Sequence, residues 1–577
     1  MKHLKVVGVV VMTALLSSCG LNRMIKNYEN VDYSVTPEVL ENKGGTVDLE
    51  MKGFIPEKYF HKKAVVEVQP VLKYEDGEKK LDSFKLKGEK AEGNGTVISK
   101  KEGGSFEYST TFEYEPEMAN ASLVVTPVAS LRDKSEALGK TTLAKGIIIT
   151  STKIKHSEKV AMAQDKYEKE TIIPEEASIY FAQNLANLNW WLDLNKEKNT
   201  KEKLENLKDF VRKGWKIKNV ELNAWASPEG EVDFNEELAA DRAETGKGYI
   251  TKKLNQIAEE KGSKVNYESS EEISMDVQPR GEDWNGFMKA VENSDIEQKN
   301  TILNVVRSQP NLKKREQEIR NMALVYEEVA EKILPPLRRV EFTVNCYEPK
   351  FTDSQMKDFV FSNPDTLDLE EMLYSATLFE DMDKKMQVYQ TAANKHSNCW
   401  RAHNNIAAIH LLKGNLDKAE SSLEKAKDNN LTGEVYKNLG VLESKKGNFE
   451  EALDIFSKAR SKGINANYNM AIAHIIKGDF AKAKSLFGNT SCDYNLALAQ
   501  VMNENYDKAQ QTLECADKGA REHYLMAVVG ARKENKEMVL KYLKKATSME
   551  ASLKEEAAND EEFIDYFNDE DFKAVVK

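Results

Sequence analysis

Between residues 366 and 548 the same small set of side chains returns roughly every thirty positions. The clearest unit runs Tyr436-Lys437-Asn438-Leu439-Gly440, then Gly447-Asn448-Phe449, then Ala452, Phe456 and Ala459. The preceding unit places Gly414, Leu416, Ala419, Leu423 and Ala426 in the same frame. The next places Met470-Ala471, Gly478, Phe480, Ala483 and Phe487 there, and a fourth has Leu496-Ala497, Tyr506, Ala509, Leu513 and Ala516. Successive diagnostic alanines (Ala419, Ala452, Ala483, Ala509) are 33, 31 and 26 residues apart, so two units are trimmed at their connections. A period of this length means stacked supersecondary units, none of which buries its apolar face alone. Gly and Ala let two helices approach closely, and the aromatics fill the gap to the next unit. Weaker units flank these at 372–392 and 526–546, giving about six helix pairs.

The order aromatic, Leu-Gly, Ala, aromatic, Ala resembles the tetratricopeptide repeat. The resemblance implies an all-α solenoid over 366–548 that binds protein segments on the concave surface made by the first helix of each pair. In the third and fourth clear units Tyr468, Ile472, Ile475, Tyr494, Leu498 and Val501 fall at inward-looking positions and form a candidate peptide groove. The competing reading is that they pack against a neighbouring helix, as apolar residues at helical spacing usually do. Residues 549–577 carry Phe563, Tyr566, Phe567 and Phe572 among acids and read as a capping helix.

At the other end, Met1–Lys5 is a short basic segment and Val6–Leu16 an apolar run of 11 residues, too short to span a bilayer but suited to a signal peptide. It ends in Leu16-Ser17-Ser18-Cys19-Gly20, which resembles a bacterial lipobox. The resemblance implies removal of residues 1–18, transfer of diacylglycerol to the Cys19 thiol, several acyl chains such as palmitate on that residue, and a lipidated linker over 19–29. Several acyl chains on one residue supply the anchoring that one chain does not. The resemblance to bacterial lipoproteins further implies, from Gly20 in place of Asp, sorting to the outer membrane and, from the lack of the acidic run that marks surface-exported lipoproteins in Bacteroidetes, a body facing the periplasm.

Residues 30–150 alternate with period 2 in short runs, among them Ala64–Val68, Ser105–Ser109 and Ala121–Val125, separated by turns such as Gly93-Asn94-Gly95. This pattern predicts an all-β sandwich, immunoglobulin-like in strand spacing.

From 165 to 348 the pattern becomes α/β. Ile179–Ala182 and Ile217–Trp225 read as strands, Leu204–Val211 and Phe234–Leu254 as helices, and Leu337–Val344 as a closing strand. The order Trp225-Ala226-Ser227-Pro228-Glu229-Gly230, Asn235, Leu238-Ala239-Ala240-Asp241-Arg242-Ala243 and Arg338-Arg339-Val340-Glu341 resembles the OmpA C-terminal family in its Bacteroidetes variant. That resemblance implies a mixed sheet that binds the diaminopimelate stem of peptidoglycan without covalent chemistry. It makes Ser227, Glu229, Gly230, Asn235 and Arg242 the candidate peptidoglycan-binding set. Arg242 would grip a carboxylate bidentately. Ser227 stands where the family has Asp, fifteen residues before that Arg, which leaves the ligand amine to Glu229. An insertion of 82 residues separates Leu254 from Leu337 and contains a predicted helix from Lys313 to Ile333. Residues 349–365 read as a linker.

The chain thus reads as multidomain. Its 577 residues carry 83 Lys plus Arg against 95 Asp plus Glu, a net charge of −12 that becomes −14 when Lys2 and Lys5 leave with the signal segment. An acidic chain without a basic stripe excludes a nucleic-acid binder. Hydrophobic residues make up 40% and no stretch approaches a spanning length, which excludes a polytopic membrane protein. Of the four cysteines besides Cys19, Cys492 and Cys515 flank one repeat, where antiparallel helices bring them together as a disulfide or leave them as buried thiols. No metal-ligand spacing, nucleophile elbow or phosphate loop occurs, so no catalytic set, metal or cofactor is expected. The functional expectation is a lipid-anchored periplasmic scaffold that recruits proteins through its repeats and contacts peptidoglycan, plausibly within an outer-membrane assembly or secretion machine. A structural envelope tether and a glycan-binding accessory protein are the alternatives.

Overall fold

The computed structural model describes residues 20–75 and 77–577. The predicted signal segment and Cys19 lie outside the described residues. The chain forms two compact units, one made of the residues up to Asp165 together with Phe379–Lys577, the other of Lys166–Leu378.

The first unit opens with residues 20–26, within the stretch read as a linker, in a helix. Leu21 and Met24, one turn apart, bury in the core of the strand-rich region. The strands that follow are distributed over sheets of three, four, five and two strands around that single core. The longest pair, Thr46–Ile55 with Gly104–Glu113, is antiparallel over ten residue pairs. Val47, Leu49 and Met51 alternate inward from it, as a half-buried sheet requires.

The same unit contains the helical array. Among the described residues five helix pairs run from Trp400–Leu412 with Leu416–Asn429 to Ala520–Arg532 with Lys536–Met549, preceded by Met382–Lys395. Close approach is visible at Gly440, where a Cβ would sit 2.5 Å from the Phe456 ring. The C-terminal residues fold as Leu553–Ala558, a 3₁₀ turn Glu561–Tyr566 and Glu570–Val576, and bury Phe563 and Phe572 against the last repeat. Array and strand-rich region meet directly. Arg532 donates to Glu562 Oε2 and to Glu41 Oε1, each at 2.6 Å, and Thr150 Oγ1 donates to Glu562 Oε1 at 2.6 Å.

The second unit is an α/β layer. Its sheet has the order Ile172–Tyr180, Arg339–Tyr347, Ile217–Ala226, Met275–Glu282. The first two contacts are antiparallel and the last is parallel, crossed over by the helix Val232–Ala258. That helix and Lys198–Arg212 cover one face, burying Ile179, Leu222 and Phe342. The opposite face is polar. The expected single helix from Lys313 to Ile333 is broken into Leu312–Arg320, Ala323–Glu328 and a π turn at Val329–Ile333, which join Trp284 and Phe287 in a separate small core. The stretch read as a linker after 349 holds a helix, Asp353–Ser362, started by a reciprocal cap between Thr352 and Gln355.

Candidate functional site: a groove that holds the chain's own strand

The first helices of the first four pairs each turn an asparagine toward an extended segment of the same chain, Lys153–Asp165, and hold it; the fifth, Ala520–Arg532, has none. Asn495 donates from Nδ2 to the carbonyl of Lys155 (2.8 Å) and accepts its amide at Oδ1 (2.9 Å). Asn469 does the same for Lys159 (2.9 and 2.8 Å), Asn438 for Ala161 (2.8 and 2.8 Å) and Asn405 for Ala163 (3.1 and 2.6 Å). Asn404 adds a donor to the Ala161 carbonyl at 2.9 Å, and Arg401 donates to the carbonyl of Asp165. A side-chain amide presents one donor and one acceptor side by side, which matches the N–H and C=O of one extended residue. The clamp reads backbone, and buried backbone groups that secondary structure would pair are paired here by side chains.

Side chains add register. Lys153, Lys155 and Lys159 lie over the rings of Tyr524, Tyr494 and Tyr468 at 4.8, 4.7 and 4.1 Å. Lys155 pairs with Glu522, and Lys153 with Glu556 at 2.6 Å and Asp560 at 3.0 Å. Burial opposes the charge of Lys153, yet Asp560 and Glu556 raise its pKa above the usual lysine value. Glu158 accepts from Ser444 at 2.8 Å and faces His156 at 3.7 Å. Ile154 and Val160, on the alternate side, pack onto the apolar cores of the array.

Of the six groove residues expected from the sequence, two hydrogen-bond to the segment. Tyr494 donates to the carbonyl of Lys153 at 2.8 Å, and Tyr468 shares a hydrogen bond with Ser157 at 2.9 Å; burial pushes the Tyr468 phenol up to about 12. Ile472, Ile475, Leu498 and Val501 are fully buried, because each first helix is packed on more than one side. The asparagines were missed, although they stand 14 residues before Ala419, Ala452, Ala483 and Ala509 and repeat with the same 33, 31 and 26 steps.

The wall-binding set does converge in the α/β unit, but it is closed on itself. Arg242 is 1% exposed. Its three donors go to backbone carbonyls, Nε to Leu185 (3.0 Å), Nη1 to Trp225 (3.0 Å) and Nη2 to Ala182 (3.1 Å). Burial, with the nearby Arg338, holds its pKa down at about 10. Glu229, the expected partner of a ligand amine, binds Arg338 at 2.7 Å and accepts from Ser227 at 2.6 Å. Asn235 donates to the Glu229 carbonyl (3.0 Å) and to Glu282 (2.9 Å). The amide of Gly230 donates to Glu316 of the insertion. The departure at Ser227 is thus accompanied by an internal cation, Arg338, on the carboxylate that would replace the missing Asp. Cys492 and Cys515 form a disulfide, whereas Cys346 and Cys399 are buried free thiols.

A family profile described as Tetratricopeptide repeat matches residues 401–430, the pair Trp400–Leu412 and Leu416–Asn429. Among solved structures the chain is similar to one in the APC/C hetero-tetramer Cut9-Hcn1, with 16% identity and a TM-score of 0.32 over 39% of this chain and 45% of that one. It is also similar to PilF of Pseudomonas aeruginosa, with 13% identity and a TM-score of 0.30 over 37% of this chain and 98% of that one. A tetratricopeptide repeat protein of Parabacteroides merdae matches with 14% identity and a TM-score of 0.20, over 51% and 98% of the two chains. The chain spans less than half the length of the first of these. No curated protein matches it by sequence. The C-terminal helical region is a tetratricopeptide array, a fold whose repeats mediate contacts between protein segments.

Proposed function

We propose that this chain is a non-catalytic scaffold of the bacterial outer membrane, lipid-anchored through Cys19, with its body in the periplasm, that recruits protein partners through its tetratricopeptide array. The tetratricopeptide array is the observation that supports the recruitment part of this reading, and its asparagine ladder shows how it grips a chain. It is a working clamp for extended polypeptide, and it is occupied by Lys153–Asp165 of the same chain. A tethered occupant is present at a high effective concentration, so a free peptide competes poorly for the same backbone contacts. Partners therefore meet the array with the strand seated, and the surface they meet includes its exposed residues His156, Ser157, Lys159 and Met162.

The lipobox-like Leu16–Gly20 supports the anchor, and the order of turn, helix and closing strand supports an OmpA-like ancestry for the α/β unit. Gripping a peptidoglycan stem peptide through Arg242 and Glu229 is not part of the proposal, because both groups are already engaged within the unit.

Fractionation and crosslinking test this. Cys19→Ser should move the chain from the membrane to the soluble fraction. In-cell crosslinking followed by mass spectrometry should recover envelope proteins on peptides of the array. A Cys19→Ser chain that stays in the membrane, or recovery of no envelope protein, would overturn the reading.

A further inference from the structure

We propose that the first helix pair of the array binds a small phosphomonoester, in a cavity it forms with the preceding helix Met382–Lys395. The proposal rests on the chemistry of that cavity and is independent of the scaffold reading.

The cavity has a volume of about 280 Å³. Trp400–Leu412 contributes His403 and His410, seven positions and so two turns apart on one face. Leu416–Asn429 contributes Lys418, Ser421, Ser422 and Lys425, whose spacing of three, four and seven also puts them on one face. Across from them stand the amides of Gln390 and Asn394, and no carboxylate lines the space. In a chain of net charge −12 this is a local reversal of sign. The Ser422 hydroxyl is committed to the Lys418 carbonyl (2.8 Å) and His403 Nε2 to the Ser397 carbonyl (2.9 Å). Among the described residues neither Lys418 nor Lys425 has an ion-pair partner. Burial, and after it Lys418 and Lys413, hold the His410 imidazole below its ordinary pKa; Lys413 is answered by Asp383, and Lys418 by no carboxylate.

The repeat frame shows what is special about this pair. In the second pair Asp454 takes the place of Ser421 and binds Lys458, the counterpart of Lys425, at 2.7 Å. In the fifth, Tyr542 takes the place of Ser422. Its ring stacks on His523, the counterpart of His403, with centroids 5.8 Å apart, and lies under Lys545, the counterpart of Lys425, at 5.3 Å. Those pairs neutralise or fill the position from within, and the first pair does neither.

The donors select the ligand. Two ammonium groups, the Ser421 hydroxyl and two amides exceed what the two oxygens of a carboxylate accept, whereas a phosphoryl group offers three oxygens and up to two charges. Charge-assisted bonds of this kind are the strong ones. The volume is that of a small-ligand site, and Ala393 and Ile406 give the carbon part of such a ligand an apolar wall.

The full chain should be titrated calorimetrically, in low-salt buffer free of phosphate, with glycerol 3-phosphate, and with acetate and glycerol as controls. Saturable binding of one equivalent of glycerol 3-phosphate is expected, with acetate much weaker and glycerol silent. Lys418→Gln and Lys425→Gln, both at exposed positions, should each weaken it roughly tenfold. Ser421→Asp and Ser422→Tyr, which install what the second and fifth pairs carry, should abolish it, while Lys458→Gln should leave it unchanged. No saturable binding, acetate binding as tightly, or indifference to both Lys425→Gln and Ser421→Asp overturns the proposal. An equal loss in Lys458→Gln overturns it in favour of nonspecific attraction to surface lysines.

Discussion

Asn438 and Ala161 lie 277 positions apart in the chain, yet the side-chain amide of the first completes both backbone hydrogen bonds of the second, each at 2.8 Å. Asn438 is fully buried, so its removal strands the Ala161 amide and the Asn404 Oδ1 that accepts from it at 2.9 Å, while the Ala161 carbonyl keeps Asn404 as a donor. Asn438→Ala should destabilise the unit by about 2–4 kcal/mol, the cost of leaving two such groups unpaired. Asn438→Asp, which keeps an acceptor but sets a carboxylate against the Ala161 carbonyl, should cost more. Denaturant unfolding measures both, and hydrogen exchange at the Ala161 amide should accelerate before the rest of the array opens.

The ladder shows what sequence reading reaches and where it stops. The repeat frame, its trimmed connections and the helix pairs follow from Gly, Ala and aromatic spacing alone. The asparagines share that frame: Asn469 follows Tyr468, and Asn495 follows Tyr494. A polar residue recurring at one position of the first helix is a signal equal in strength to the alanines. The occupant has no such signal. Lys153–Asp165 has no periodicity of its own, because side chains of distant helices satisfy its backbone.

The strand also carries a titrating pair. The Glu158 carboxylate, facing His156 at 3.7 Å, raises the pKa of His156 above the ordinary imidazole value. Burial opposes ionisation of Glu158, but His156, its own backbone amide and Ser444 hold its pKa below the usual carboxylate value. The His156 contribution is present below the ordinary imidazole pKa and is lost as pH rises through the raised folded value. The Glu158 contribution is present above the ordinary carboxylate pKa and is lost as pH falls through the depressed one. The pair therefore stabilises most in mildly acidic solution. His156 is more than half exposed, so the alkaline loss should be only about 1–2 °C in Tm. Melting curves from pH 4 to 9 should show it, and His156→Gln should abolish the alkaline limb and shrink the acidic one to what the backbone amide and Ser444 still hold.

Arg532 joins Glu562 of the C-terminal turn to Glu41 of the strand-rich region. Burial raises the pKa of Glu562 even with Arg532 beside it. Removing the guanidinium leaves that carboxylate buried with no cation, so Arg532→Met should cost about 3–5 kcal/mol. Arg532→Met combined with Glu562→Leu should recover much of the loss, since the uncompensated charge is then gone as well. A double-mutant cycle from denaturant midpoints gives the coupling directly.

Arg242 was legible as an important residue and not as a buried one. Its place in the helix, and its spacing from the Ser227 turn, mark it as the ligand-gripping Arg of the OmpA-like pattern. Nothing in the sequence reveals that Ala182, Leu185 and Trp225 turn three carbonyls toward it, because those contacts depend on how the loop from 182 to 192, which carries Trp190 and Trp191, closes. Arg242→Lys keeps a charge of the same sign, but one ammonium does not span three carbonyls held by a planar fork. The expected loss is about 2–4 kcal/mol, with a change in tryptophan emission as the loop loosens. Loss of peptidoglycan retention with unchanged stability would instead restore the ligand-gripping role.

The disulfide between Cys492 and Cys515 closes a loop of 23 residues around one repeat. Cross-linking a loop of that length removes unfolded-state entropy worth about 3 kcal/mol. In an array whose repeats contact mainly their neighbours, the loss on breaking it should be local before it is global. The double variant Cys492→Ser with Cys515→Ser should raise hydrogen exchange in Tyr494–Met502. It should do the same at Lys155, whose backbone is held by Asn495 from that helix. Dithiothreitol should reproduce the effect in the native chain and add nothing in the variant. Alkylation of the unfolded, unreduced chain should label Cys346 and Cys399 and leave this pair untouched; label on Cys492 or Cys515 would show that the bridge is absent.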